Sequence, residues 1–215
     1  MLKILKEKYK VDINNYEIIK KISQGGFGII YLVRNKLSKE DLVAKVNLIN
    51  TGDSKRQNQF IKREIMILMR VQHQTIIPLR GFSFTDFNGN DNITILMDYM
   101  KEGSVSSLID KEQKGQCSFD YDNTKRQIIL AGIARGMMIL HDLNIIHRDL
   151  SSGNVLLDEN YHPLITDFGL SKFFDPQHSK SQSMAETGTL VYMAPEGIEG
   201  DHYNTKADVY SFGIL

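Results

Sequence analysis

Runs rich in β-branched and aromatic residues dominate the first hundred positions. Tyr16-Glu17-Ile18-Ile19-Lys20-Lys21-Ile22, Ile29-Ile30-Tyr31-Leu32-Val33 and Leu42-Val43-Ala44-Lys45-Val46 each read as a strand. Ser23-Gln24-Gly25-Gly26-Phe27-Gly28 forms a tight turn between the first two. From Phe60 to Val71 the period changes, and Ile61, Ile65, Leu68 and Met69 recur at helical spacing. Ile76-Ile77-Pro78-Leu79 and Ile93-Thr94-Ile95-Leu96-Met97 read as two further strands. Residues 1–98 are thus mostly sheet with one helix, preceded by a weakly ordered, Lys- and Asn-rich lead-in over 1–15.

Beyond Gly103 the pattern turns helical. Ile129, Ile133, Met137 and Leu140 form an apolar stripe on a long helix, with Thr124 as its N-cap. Short strands are expected around Val155-Leu156-Leu157 and Leu164-Ile165-Thr166. Ser171 to Glu186 is polar and Ser-rich and reads as a mobile loop. No internal repeat or low-complexity tract interrupts the 215 residues.

Charge divides along the same line. Residues 1–98 hold 16 Lys and Arg against 10 Asp and Glu, a net +6, and residues 99–215 a net −6. A basic half and an acidic half suit two lobes around a phosphate and metal cleft; an uneven surface distribution is the plainer alternative. The overall balance of +0 gives no reason to expect nucleic acid or an anionic membrane as partner. A single cysteine, Cys117, excludes an internal disulfide and fits a reducing, cytoplasmic compartment. No stretch approaches the roughly 18 apolar residues of a membrane span, and the N-terminus lacks the apolar run of a secretory signal.

Candidate chemistry gathers in the second half. His147-Arg148-Asp149-Leu150-Ser151-Ser152-Gly153-Asn154 sets a carboxylate five residues before an amide, and Asp167-Phe168-Gly169 follows 13 residues after Asn154. This pattern supplies a base for a hydroxyl, Asp149, and two oxygen ligands for magnesium, Asn154 and Asp167. Taken alone, an aspartate in such a place is a loop cap. The glycine turn leads into Ile29-Ile30-Tyr31, a strand and not a helix, which argues against a dinucleotide fold. A strand–turn–strand lid instead lets backbone N–H groups approach phosphates, although a plain hairpin fits the same letters. Lys45, 17 residues after Gly28, pairs with Glu64 if the helix docks on the sheet. Each of these two residues alone reads as a solvated surface charge.

Together these segments resemble the eukaryotic protein kinase superfamily from about Tyr16 to the last residue. The matching positions are Gln24-Gly25-Gly26-Phe27-Gly28, Lys45, Glu64, His147 to Asn154, Asp167-Phe168-Gly169, Ala194-Pro195-Glu196 and Asp208. The resemblance implies an α+β, bilobal fold, with a small antiparallel β-sheet lobe over 16–98 and a larger, mainly helical lobe over 99–215. It implies ATP and Mg²⁺ as cofactors and a protein substrate. Ile22, Ser23, Gln24, Gly25, Gly26, Phe27 and Gly28 would cover the nucleotide, and Ile30, Val43 and Leu156 would enclose the adenine. Asp98-Tyr99-Met100 would be the hinge that hydrogen-bonds it, behind Met97 as gatekeeper. Leu68, Leu79, His147 and Phe168 would stack as a spine, and Asp208 would anchor the catalytic loop. Gly188 to Glu196 is similar to the Ser/Thr type, and Leu79-Arg80-Gly81-Phe82 points to the tyrosine-kinase-like group. Ser183 or Thr187 is the expected site of an activating phosphate, for which Arg148 would be a partner.

Three positions depart from the family. Ser23 replaces the first glycine of the lid. Ser151 stands where Ser/Thr kinases carry a lysine that neutralises the transferring phosphate, a loss on the order of 10²–10³ in rate by analogy with a missing oxyanion donor. The chain also stops at Leu215, inside a helix, and reads as a kinase domain truncated at its C-terminus. The leading expectation is therefore a Ser/Thr protein kinase. The alternative is a catalytically impaired nucleotide-binding or scaffolding fragment.

Overall fold

A computed structural model describes residues 7–25, 28–48, 54–117, 121–173, 189–199 and 204–215. The chain forms two compact units, one of residues 1–72 and 77–99, the other of residues 73–76 and 100–215.

In the first unit, β1 (Tyr16–Gly25), β2 (Gly28–Asn35), β3 (Asp41–Asn47), β4 (Leu79–Ser83) and β5 (Thr94–Asp98) make one antiparallel sheet in the order β1-β2-β3-β5-β4, with helix α1 (Ser54–Arg70) between β3 and β4. The period-2 alternation of strands sorts β3 cleanly. Leu42, Ala44 and Val46 are buried, while Val43 and Lys45 are half-buried on the opposite face. Leu42 and Ala44 join Val33, Leu96 and Ile13 in one apolar cluster.

Ile13 belongs to the lead-in, which is therefore not loose over its described part. It is 3% exposed in a 3₁₀ turn (Ile13–Asn15) capped by Asp12, and Val11 N–H donates to Phe82 O at 3.0 Å. Burying one isoleucine is worth roughly 1.5–3 kcal/mol, enough to hold a short polar segment against the sheet. Close passage of this segment also explains Gly81, where a Cβ would collide with Val11.

Two expected boundaries shift. Helix α1 begins six residues before Phe60, and β4 begins only at Leu79. Pro78 has no N–H for a ladder, and Ile76, itself part of the second unit, makes an isolated bridge to Ile165 within that unit.

The second unit opens with β6 (Gly103–Ser104) and α2 (Val105–Gln113), followed by α3 (Asn123–Asp142), β7 (Ile145–Ile146), β8 (Val155–Leu157), β9 (Pro163–Ile165) and β10 (Lys172–Phe173). It ends with α4 (Pro195–Glu199) and α5 (Thr205–Ile214). β6-β8-β9 form one small sheet and β10-β7 another. Ile129, Ile133, Met137 and Leu140 are the buried stripe of α3, as their spacing predicts. Its N-cap is Asp122, whose Oδ1 accepts from Lys125 N–H at 2.9 Å, and not Thr124. Gly136 sits where α3 passes Thr75 and Ile165, with no room for a Cβ. Ser171 is also not part of a loose loop: it is fully buried and donates to His147 O at 3.0 Å. Among the described residues no helix is long and apolar enough to cross a membrane.

Candidate active site

In the first unit, several candidate residues lie on one face of the sheet. Directly paired residues of an antiparallel sheet share a face. Ile30 is opposite Lys45, and Val43 is opposite Met97, so these four share one face. Ser23 is opposite Ile30, Gln24 opposite Ile29, and Gly25 opposite Gly28, while Ile22 lies next to a register shift and is 44% exposed. Gly26 and Phe27 lie outside the described residues. Gly28 has to be glycine, because a Cβ there would penetrate Val46 O.

Lys45 reaches Glu64 on α1 with both carboxylate oxygens in range, at 2.9 and 3.0 Å. Glu64 is 2% exposed, so this is a buried ion pair and not two surface charges. The apolar stripe of α1 places it: Ile61, Ile65 and Leu68 anchor the helix, and Glu64 lies three residues after Ile61 and four before Leu68. At the end of β5, burial lifts the Asp98 carboxyl above the usual carboxylate range, while the Arg80 guanidinium at 3.4 Å opposes the rise. Met97 is 6% exposed.

The second unit holds the loop from His147 to Asn154, and its conformation is fixed from below. Asp208 on α5 is 1% exposed and accepts from His147 N–H at 2.8 Å and Arg148 N–H at 2.9 Å. His141 Nε2 lies 2.9 Å from the same carboxylate. Arg148 has φ 71°, a left-handed backbone that costs free energy in a non-glycine residue and is held by these bonds. Asp167 is likewise left-handed, at φ 63°. His147 and Phe168 meet edge to face with ring centroids 5.1 Å apart, and both are fully buried. Leu68 and Leu79 are buried in the first unit. Leu156 lies in β8 opposite Ser104 and Leu164, and Met100 O accepts from Gly103 N–H at 3.2 Å.

The Asp149 carboxylate is held on both oxygens. Its Oδ2 accepts from Asn154 Nδ2 at 2.9 Å, and its Oδ1 accepts from Thr189 N–H at 3.1 Å and Thr189 Oγ1 at 3.2 Å. A carboxylate offers about four lone-pair sites, two on each oxygen. Among the described residues Oδ1 is filled and Oδ2 has room for one more donor. Asn154 Nδ2 also donates to Asp149 O at 2.8 Å, so the atom Asn154 has left to offer is its side-chain oxygen. Thr166 N–H donates to Asn154 O at 3.0 Å, which ties the segment before Asp167 to the same turn. An amide oxygen and a carboxylate suit a hard divalent cation, and magnesium is held by one or two such groups together with phosphate oxygens.

Sequence reading gave no contact role to four residues of this neighbourhood: His141, which it did not single out, and Ser152, Thr189 and Tyr192, which it named only within longer segments. Ser152 Oγ lies 2.9 Å from Tyr192 OH, and both join the loop to a segment some 40 residues away. No local periodicity signals such a pairing. Ser183 and Thr187 lie outside the described residues.

Comparison with known proteins gives this constellation its context. The model of the protein kinase domain matches residues 16–215. The chain is 34% identical over 206 residues to cysteine-rich receptor-like protein kinase 37 of Arabidopsis thaliana, covering 94% of the chain and 30% of the relative. It is 36% identical over 197 residues to cysteine-rich receptor-like protein kinase 34 of the same plant, at 90% and 28% coverage. It is 33% identical over 205 residues to the G-type lectin S-receptor-like serine/threonine-protein kinase SD1-1, also of Arabidopsis thaliana, at 94% and 24%. The chain thus spans less than a third of the length of these relatives. The family match begins at Tyr16, where β1 begins, and takes in the Lys45–Glu64 pair, the Asp149 loop and Asp167. By that match the chain belongs to the protein kinase domain family.

Proposed function

We propose that this domain transfers the γ-phosphate of ATP to serine or threonine hydroxyls of protein substrates, with Mg²⁺. The observation that carries the reading is Asp149, whose carboxylate is oriented by Asn154 on one oxygen and Thr189 on the other. The acceptor hydroxyl would donate to the open position on Oδ2, which would take its proton as the hydroxyl oxygen bonds the γ-phosphorus and ADP leaves with the bridging oxygen. Asn154 and Asp167 would hold the metal, and Lys45, aligned by Glu64, would hold the nucleotide phosphates. When bound, Mg·ATP supplies the phosphoryl group and neutralises its charge. Ile30, Val43, Met97 and Leu156 would contact the adenine, and the backbone of Asp98 and Met100 its polar edge. The names of the receptor-like serine/threonine relatives support the substrate class. The single cysteine, free in the structure, supports a cytoplasmic setting.

The test is transfer of labelled phosphate from Mg·ATP to dephosphorylated casein, beside Asp149→Asn. Loss of the base is expected to lower the rate about 10²–10⁴-fold. Equal rates in the two proteins would refute the assignment of Asp149. A wild type that binds Mg·ATP without turnover would favour the non-catalytic alternative, for which Ser151 in place of the usual lysine is the specific observation.

A further inference from the structure

The segment from Thr189 to Met193 is joined to the catalytic loop twice. Its first anchor is Thr189, on Asp149 Oδ1. Its second is Tyr192, whose hydroxyl lies 2.9 Å from Ser152 Oγ. Ser152 is buried and opens the 3₁₀ turn (Ser152–Asn154) that ends at Asn154, so the second anchor acts on the same turn that orients the base. Tyr192 is tied at two further atoms: its N–H donates to Thr189 O at 2.9 Å, and its carbonyl accepts from Ser211 Oγ on α5 at 2.7 Å.

Between the two anchors, in the 3₁₀ turn (Leu190–Tyr192), Leu190 and Val191 are 67% and 74% exposed. Two adjacent apolar side chains on a pinned turn, beside a base, make a contact surface whose position relative to Asp149 is set by both anchors. Beside the Thr189 bonds to Asp149 and the Ser211 bond to the Tyr192 carbonyl, the Tyr192 hydroxyl gives the far end of the turn its own direct link to the catalytic loop. A buried serine hydroxyl also needs a hydrogen-bond partner, and Tyr192 supplies it.

We propose that Ser152 and Tyr192 are a positioning pair for the protein substrate. Their hydroxyl–hydroxyl bond fixes the Leu190–Val191 step against Asp149, so that a polypeptide lying on that step presents its hydroxyl to Oδ2. The proposal rests on the reading of the domain as a protein kinase. Neither hydroxyl takes part in the chemistry, and neither has a role toward the nucleotide.

The experiment compares Tyr192→Phe, Ser152→Ala, the double variant and Ser152→Thr, which keeps a hydroxyl. Steady-state kinetics use dephosphorylated casein and ATP, casein affinity is read by fluorescence anisotropy, and amide hydrogen exchange follows Tyr192 and Met193, whose N–H groups donate to Thr189 O and Leu190 O. One lost hydrogen bond corresponds to about a fivefold effect. Each single variant is expected to raise the casein KM about fivefold and leave the ATP KM unchanged. The double variant should go no further, and Ser152→Thr should restore the wild-type value. Exchange at Tyr192 and Met193 should quicken by a similar factor, while Ile165 N–H, bonded to Thr75 O, should not change. An unchanged casein KM, equal rises for casein and ATP, or additive single effects would overturn the proposal. If the wild type transfers no phosphate, the kinase reading fails on its own. Casein affinity and exchange then decide the pair by the same criteria: non-additive losses uphold it, and unchanged or additive ones overturn it.

Discussion

Replacing Asp208 by alanine tests whether the catalytic loop is shaped by its own sequence or by the helix beneath it. The carboxylate is 1% exposed and accepts from two backbone amides, those of His147 and Arg148, and lies in hydrogen-bond range of His141 Nε2. Each buried donor left without a partner costs about 1–3 kcal/mol, and donors to a charged acceptor lie toward the upper end. The three losses are coupled, because the groups share one acceptor and can relax together. A total of about 3–5 kcal/mol is therefore expected for Asp208→Ala, a large part of the roughly 5–15 kcal/mol by which domains are stable. At about 2–4 °C per kcal/mol for a chain of this size, the transition carrying the second unit should fall by roughly 6–20 °C in calorimetry. Asp208→Asn keeps one acceptor oxygen and should fall between that value and wild type. Arg148 adds a functional consequence. Its left-handed backbone is held at φ 71° by the bond to Asp208, and without it the loop relaxes and kcat falls with stability. Ser211→Ala on the same helix is the control, with a cost of about 1 kcal/mol for its lost hydroxyl bonds. An Asp208→Ala protein within about 1 kcal/mol of wild type would refute the reasoning, because the buried amides would then have found other partners.

Other substitutions probe the remaining contacts. Glu64→Gln strips the carboxylate charge from a buried pair and should cost about 3–5 kcal/mol in urea unfolding; a change below about 1 kcal/mol would contradict this. Asp86 gives a pH dependence: burial pushes its carboxyl up, but hydrogen bonds from the Asn90 and Asn92 side chains and the Asn88 and Asn90 amides together outweigh it and hold it below the usual range. A depressed carboxyl stabilises the fold fully above its unfolded pKa of about 4 and loses that contribution as pH falls through the folded value. Asp86→Asn should therefore lie about 1–3 kcal/mol below wild type at pH 7, with the gap closing on acidification; a gap independent of pH in urea titrations would contradict this. Gly136→Ala places a Cβ 2.7 Å from Ile165 Cδ1 and 2.8 Å from Thr75 Oγ1, and the crowding should cost about 1–3 kcal/mol in thermal unfolding.

The parts of this fold legible in the sequence are those written within one element. Lys45 was placed on a strand by Leu42-Val43-Ala44, and the α3 stripe was placed by its period, and both stand as read. What stayed hidden depends on groups that meet across the chain. Asp12-Ile13-Asn14-Asn15 looks like a polar tail, yet Ile13 completes a cluster drawn from β2, β3 and β5. Asp122 and Thr124 are both good caps, and the choice was made by the position at which the helical hydrogen bonds begin. Ser171 looked like the start of a polar loop until its hydroxyl met the carbonyl of His147. Glu64 is the instructive case: its charge suggests a surface position, while its place on the apolar side of α1 buries it against Lys45.

Asp149 shows why motif letters and site geometry carry different information. The motif specifies that Asp149 is followed by Asn154, and the structure uses that spacing to close Asn154 Nδ2 onto Asp149 Oδ2. The motif is silent about Oδ1, which Thr189 fills with both its amide and its hydroxyl. Among the described residues one oxygen of this carboxylate is filled and the other has an open position, so a hydroxyl donor would approach it at Oδ2. Ser151 lacks the positive charge of the family's lysine, while the bonds that hold the Asp149 carboxylate come from Asn154 and Thr189. Its effect should accordingly fall on the charge of the transferring phosphate and hence on kcat. On the proposal above, the affinity for protein substrate rests instead on the turn that Thr189 joins to Asp149 and Tyr192 joins to Ser152.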